Sequence, residues 1–464
     1  MRDNTKRADG NVLGSAPLGG LICRFAIPSI VAMLVNAAYN LTDQIFIGHV
    51  VGMLGNAATN VAFPVVSLTI GLALMAGAGT AANFNICLGA KQEEEAKCYV
   101  GTGLTLMLLF GVALAAVVLL FKTPILLLCG ATENVLPYAQ LYLGVTGIGL
   151  PFMLFTSASS VLIRADRSPT YSMLCTISGA VLNVFLDWLF LFRFGWGIRG
   201  AAAATVIGQF VSFAMCACYF PRFRTFPIRL ASLRLRSRYV RQIMKLGVTN
   251  LLNHMVMMLV NIVMNNTLTH YGALSVYGSD IPLAVSGVIA KLNQILTAFS
   301  VGLAQGCQPI WSFNMGARNY DRVKSAYLRA AAAAMCISLL AFALFQTFPR
   351  QIVSIFGGGT EAYFEFAERY MRVFMMMVCV FGIQPLTMNY FTSIGDVRRG
   401  IFLSLSRQGF LLLPLLIALP LAFGLNGVLY AGPIADALAF LLSVTLVARS
   451  FRKMTSLPAP DEAG

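Results

Sequence analysis

Residues 182–192 read LNVFLDWLFLF, and inside that apolar run Asn183 and Asp187 stand four positions apart. On a helix this spacing puts both side chains on one face, one turn above the other, so that an amide and a carboxylate can address the same small ion. Asp43 is a second acid deep in an apolar run, and Thr205 supplies a hydroxyl in another. A charged carboxylate at mid-bilayer costs at least about 2.5 to 3.5 kcal/mol on insertion scales. No basic residue lies within a helical turn of either aspartate. Such a set can exchange protons, or hold a sodium ion through carboxylate, amide and hydroxyl oxygens, which are hard donors. In the sodium case Asp43 and Asp187 are the metal ligands. The competing reading is a structural aspartate, hydrogen-bonded to backbone or to an arginine of another helix.

The elements that carry these residues follow from composition. The chain has 464 residues, 58% hydrophobic and only 11% charged, with a mean hydropathy of +0.76. Ordinary soluble chains carry about 25% charged residues, so this is a membrane protein. The ten cysteines are scattered without CxxC pairs, and read as small packing residues. His49, His254 and His270 are far apart, which leaves a zinc or haem centre without ligands. No cofactor is expected. The opening MRDNTKRADGNVLGSAPLGG reads as a polar tail and not as a cleavable signal.

A helix needs about 20 apolar residues to cross the hydrocarbon core. By that measure the chain is an all-α polytopic membrane protein of twelve spans, near 21–48, 55–88, 97–121, 136–162, 170–192, 198–219, 242–268, 282–313, 323–348, 363–391, 400–421 and 425–450. The runs are too long and unbroken for barrel strands. Alternate connections are rich in arginine and lysine, including Arg164, Arg167, the set from Arg222 to Arg241, Arg318, Arg322, Lys324, Arg398 and Arg399. Their counterparts hold little beyond Lys122, Arg193, Arg199 and Arg350. The rich side is expected to be cytoplasmic, with Lys6, Arg7, Arg452 and Lys453 placing both termini there. The net charge of +15 is accounted for by topology and contact with anionic lipid headgroups, and not by nucleic-acid binding.

The basic stretch from Pro221 to Gln242 divides the chain nearly in half, and the halves resemble each other. NICLGAKQEEEAKCYVGTG, from Asn85, parallels NMGARNYDRVKSAYLRA, from Asn314, and GIRGAAAATVIGQ, from Gly197, parallels GLNGVLYAGPIAD, from Gly424. The offset of about 227 residues indicates a repeated six-helix unit. The expected organisation is a tail over 1–20, a first lobe over 21–219, a linker over 220–241, a second lobe over 242–452 and a tail over 453–464, as two pseudo-symmetric bundles with substrate bound between them.

Several stretches together resemble the multidrug and toxic compound extrusion (MATE) transporters. IPSIVAMLVNAAYNLTDQIFIGHVVG, from Ile27, is similar to that family's first helix, and GLAQGCQPIWSFNMGAR, from Gly302, to its eighth helix and following loop. LNVFLDWLF and GIRGAAAATVIGQ extend the resemblance over nearly the whole chain. It implies a bacterial or archaeal branch whose coupling-cation site, in the first lobe, corresponds to Asp43, Asn183, Asp187 and Thr205, and whose first helix bends at the proline matching Pro28. Proline removes one backbone hydrogen bond, which gives such a bend an independent reason.

The implied activity is secondary antiport. Amphipathic cationic drugs or toxic compounds would leave in exchange for protons or sodium, by alternating access, across a bacterial cytoplasmic membrane, with the chain functioning as a monomer. Tyr39, Asn36, Gln305 and Gln308 are candidates for polar cavity contacts, being aromatic or amide groups deep in apolar spans. Met257 and Met264 belong to a methionine-rich seventh span that suits a promiscuous pocket or serves as core filler. Asp436 is a second-half acid deep inside a span and is read as structural; Lys291 and Arg407 can pair with an acid or snorkel to the interface, and His254 reads as a packing residue. A lipid-linked saccharide flippase is the alternative of like architecture, although it calls for basic cavity residues and the chain offers little beyond Lys291. An intramembrane enzyme would need a nucleophile with a base, or a metal constellation, and neither spacing is present. No GxxxxGK[ST] loop occurs, so no ATP site is implied.

Overall fold

The computed structural model describes residues 12–129, 131, 133–228, 234–278, 280–355 and 360–455. Lys6, Arg7 and Arg229, used above for topology, and residues 456–464 of the expected C-terminal tail lie outside them. Among the described residues all regular structure is helical. The spans are α1 (Leu18–Val50), α2 (Met53–Gly89), α3 (Glu93–Leu120), α4 (Leu136–Ala165), α5 (Pro169–Arg193), α6 (Gly197–Tyr219), α7 (Ser237–Ala273), α8 (Asp280–Gly316), α9 (Tyr320–Thr347), α10 (Glu361–Phe374 continued by Val378–Ser393), α11 (Val397–Phe423) and α12 (Leu425–Thr455). Eleven are long and apolar enough to cross a membrane, and α10 makes a twelfth if its two segments, bent by 47°, form one span.

Helices form because in hydrocarbon every backbone donor must be satisfied within its own segment. Their ends follow from local chemistry. Asn319, Thr360 and Asp396 accept the Arg322, Tyr363 and Arg399 amides as N-caps of α9, α10 and α11, while Glu93, Glu94 and Glu95 oppose the positive end of α3. Two boundaries differ from the sequence reading. Residues 12–20 are not a free tail, since Val12–Ser15 form a short helix and Leu13 is 2% exposed. α7 starts at Ser237, inside the stretch assigned to the linker, because the basic residues there are as compatible with a helical first turn as with a loop.

The repeat is visible in the backbone. Left-handed residues recur in pairs about 227 apart, Lys91 with Arg318, Gly197 with Gly424, Gly52 with Gly278 and Arg167 with Gly395. The chain therefore turns the same corners in both halves.

Apolar side chains gather in clusters drawn mainly from one half. Phe84, Val100, Leu154, Leu162 and Cys175 belong to one, and Val260, Ile289, Tyr370, Leu416 and Val428 to another. The halves meet on the ends that bear the basic connections. There small residues let backbones touch: a Cβ on Gly247 would stand 1.8 Å from the Met75 carbonyl oxygen, and one on Gly316 would stand 2.1 Å from that of Ile86.

α1 belongs to both halves. Its beginning buries Leu18, Leu21, Ile22, Phe25 and Ala26 with Leu303, Ile310 and Trp311 of α8 and Tyr327 of α9. Further on, Ile47 packs in a first-half cluster, and Phe46 meets Phe192 with ring centroids 5.4 Å apart. Pro28 lies inside the helix, between Ala26 and Ile30, whose backbones fill the notches at Gly306 and Gly302 of α8.

Candidate cation-coupling site

Three helices converge on the acids identified from sequence. Asp43 comes from the second half of α1. Asp187 sits in the last α-helical turn of α5, just before the chain widens to a π-helical turn over Leu189–Arg193. Such turns re-aim side chains and occur often at functional sites. Asn183 lies one turn earlier on the same face, and Thr205 comes from α6, which packs on α5 where a Cβ on Gly208 would meet the Gly179 carbonyl oxygen at 2.7 Å.

The Asp43 and Asp187 carboxyl groups face each other within hydrogen-bond reach. Asp187 is fully buried and Asn183 is 3% exposed. The Thr205 hydroxyl donates to the Ala201 carbonyl at 3.0 Å and accepts from Asn183 Nδ2 at 3.4 Å. That orientation leaves Asn183 Oδ1 free. It has no partner, and neither do Asp43 Oδ1 nor both oxygens of Asp187. Unsatisfied carboxylate oxygens of one sign thus stand together, with Asn183 Oδ1 also unpartnered one turn earlier on α5, and buried polar atoms of this kind cost free energy unless something supplies positive charge. A proton bridging the two carboxyl groups, or a bare cation held by oxygens, meets that need. Among the described residues, none of the ion pairs includes either acid.

Tyr39, one turn before Asp43, joins the cluster and feels both carboxylates. One neighbour of the acids, and one further buried polar group on α6, escaped the sequence reading. Tyr142 of α4 is 8% exposed and lies in the same electrostatic environment as Asp43, Tyr39 and Asp187. Gln209, four residues after Thr205, buries an unpartnered Oε1 against α4 beside Gly149. Its spacing from Thr205 was a usable signal; Tyr142 had none, because only tertiary packing brings α4 to this spot.

The other expected cavity residues are dispersed. Gln305 and Gln308 are 5% and 3% exposed and bridge the halves, Gln305 accepting from Arg164 at 2.6 Å and Gln308 donating to the Ala78 carbonyl at 3.4 Å. They stand in the closed contact between halves and not with the acids, because the α8 face that carries them packs against α2 and α4. Met264 packs on the second-half core, Met257 is 42% exposed, and Asn36 is half-buried one turn before Asn40. In the second half, Asp436 is paired with Arg407 at 2.5 Å. Arg407 occupies a second π-helical turn, Ser406–Leu412. His254 is partly buried beside Gly71.

Comparison with known proteins agrees with this architecture. The family model MatE matches residues 28–189 and 247–417. The multidrug export protein MepA of Staphylococcus aureus is 24% identical over 433 residues, which cover 93% of this chain and 94% of that protein. A solved structure described as the outward-facing conformation of a multidrug resistance MATE family transporter superposes with a TM-score of 0.89 at 22% identity, covering 97% of this chain and 99% of that one. A MOP superfamily transporter from Pyrococcus furiosus, reported with a binding pocket of reversed polarity that suggests a different function, superposes equally well, with the same score, identity and coverage. With its fold shared along almost the whole length and the family pattern matched in both halves, the chain belongs to the MatE family and is a MATE-family transporter.

Proposed function

We propose that this protein is a secondary antiporter that exports amphipathic cationic drugs or toxic compounds in exchange for protons or sodium. It sits in a bacterial cytoplasmic membrane with both termini inside and works as a monomer. Residues 21–219 and 242–452 act as two lobes that rock about the contact at the basic ends, which alternately seals and opens a central cavity. The observation that carries this reading is the pair of facing carboxyl groups, Asp43 and Asp187, on helices from different parts of the chain and without a cationic side chain. Asn183 Oδ1 and the Thr205 oxygen complete a donor set for one small cation, and Tyr39 and Tyr142 line its approach.

Coupling follows from competition. While the pair holds a cation its negative charge is neutralised and a cationic substrate gains nothing there; once the cation leaves, the charge attracts substrate from the cytoplasmic side. α1 links the site to the rocking motion because its foot is packed on α8 and α9 while its far part carries Asp43, with Pro28 between them. An inward cation gradient then drives export, since one elementary charge crossing 100 mV is worth about 2.3 kcal/mol. The name of the Staphylococcus aureus relative, a multidrug export protein, supports the export of drugs.

The test is dye transport in inside-out vesicles under separately imposed pH and sodium gradients, comparing wild type with Asp43→Asn and Asp187→Asn. Loss of gradient-driven transport in folded variants supports the reading, and unchanged transport in both rejects it.

A further inference from the structure

We propose that Arg164 is an electrostatic barrier that keeps coupling cations from leaking through the closed contact between the halves, an inference that rests on the antiport reading above. Arg164 ends α4 on the basic side, and in the sequence it looks like one more topology-setting arginine. The structure buries it instead, at 2% exposure. One Nη donates across the junction to Gln305 Oε1 of α8 at 2.6 Å and the other to Ser172 Oγ of α5 at 3.2 Å, while Nε has no partner. Ser172 hands its own hydrogen to the Ser160 carbonyl at 2.9 Å. Both groups that receive the guanidinium are therefore neutral.

Among the described residues no carboxylate is ion-paired with the guanidinium. The acid nearest in sequence, Asp166, spends its oxygens on Tyr219 Oη, Thr225 Oγ1 and the Arg224 and Thr225 amides. Burying a cation without a counterion is costly. A plain tie between α4 and α8 needs only a neutral donor, which would avoid most of that cost. What the full charge adds is repulsion of other cations. It acts in the layer where Gly247, Gln308 and Gly316 of the second half touch Met75, Ala78 and Ile86 of the first.

An exchanger must not pass its driving ion through while shut. Tyr142, beside the acids, and Arg164 lie on the same helix, separated by about 33 Å of helical rise. A proton or sodium ion released from the acids toward the basic ends therefore meets a desolvated guanidinium in the seal. An arginine in a narrow pore excludes cations and protons for the same reason.

The experiment uses the full chain in liposomes without substrate, recording internal pH or sodium after a gradient is imposed, with chloride and glucose permeability in parallel. Wild type and Arg164→Lys should be tight. Arg164→Gln should pass cations faster by roughly tenfold or more while chloride and glucose permeability stays unchanged. Two changes at the partner separate charge from packing: Gln305→Leu breaks the bond but keeps the charge and should stay tight to cations, whereas Gln305→Glu keeps the bond, neutralises the charge and should leak cations. The proposal is overturned if Arg164→Gln and Gln305→Glu are both tight, if Gln305→Leu leaks cations as Gln305→Glu does, or if every leak extends equally to chloride and glucose. The Gln305 variants decide the matter should Arg164→Gln fail to fold. Failure of the antiport reading looks different, because wild type itself would then show no gradient-driven transport.

Discussion

Asp43 of α1 and Asp187 of α5 present their carboxyl groups to each other within hydrogen-bond reach, and three of their four oxygens are buried without any other partner. Two ionised carboxylates cannot share a dry site without a positive charge between them. In Asp43→Asn and Asp187→Asn this requirement disappears, so under the proposed antiport, in which both residues serve one cation, gradient-driven efflux should fall by at least about tenfold in each and the double variant should be no worse than either. Dye efflux from vesicles with matched amounts of folded protein measures this; additive losses would argue for two independent sites.

In the proposed mechanism Asn183 and Thr205 bear on how tightly the cation is held. Asn183→Ala removes an oxygen donor and frees the Thr205 lone pair it occupied, a change of about 1 to 2 kcal/mol. The cation concentration giving half-maximal transport should rise by roughly tenfold with little change in the maximal rate. Thr205→Ser should be close to wild type, and Thr205→Val should resemble Asn183→Ala. A drop in maximal rate at unchanged half-saturation would contradict this.

The second half has its own buried acid, and it is paired. Asp436 is 9% exposed and bonds Arg407 at 2.5 Å. Removing one partner strands a charge, so Asp436→Asn and Arg407→Met should each destabilise the protein by about 3 to 5 kcal/mol. Replacing both, with Asp436→Leu and Arg407→Met, should recover most of the loss. Thermal unfolding in detergent, arranged as a double-mutant cycle, reads the coupling directly, and a cycle with no coupling would remove the pair from the account.

Asp166 pins the start of the connection between the halves. It is fully buried and receives the Tyr219 hydroxyl at 2.7 Å, the Thr225 hydroxyl at 2.5 Å and two backbone amides. Burial pushes its carboxyl above the ordinary value, against the pull of those four donors. Asp166→Ala leaves the donors unpaired and should cost about 2 to 4 kcal/mol, lowering the melting temperature, while Asp166→Asn should cost less because its amide oxygen still accepts. Equal melting temperatures for Asp166→Ala and wild type would rule this out.

The glycine contacts between halves predict a conformational bias. A side chain at Gly247 or Gly316 collides with the backbone of Met75 or Ile86. Gly247→Val should hold the basic ends apart and expose the nearby Gln308 position, 3% exposed here, to a thiol reagent when tested as Gln308→Cys. Labelling as slow as in the glycine-containing protein would show that this contact does not govern closure.

The amino-acid sequence determined the helical, membrane-spanning architecture, because hydrocarbon tolerates only segments that satisfy their own backbone, and the length of apolar runs reports that requirement locally. It also determined the repeat, whose left-handed corners at Lys91 and Arg318 or Gly197 and Gly424 are fixed by short-range chemistry. Asn183 and Asp187 were legible as a pair because helical periodicity alone puts them on one face. Only the tertiary structure decided that Asp43 meets Asp187, that Tyr142 lies nearby, that Gln209 is buried against α4, and that Gln305 and Arg164 are locked together between the halves. Those are contacts between helices far apart in the chain, set by how ridges and glycine notches interlock, and no local pattern encodes which face of one helix will find which face of another.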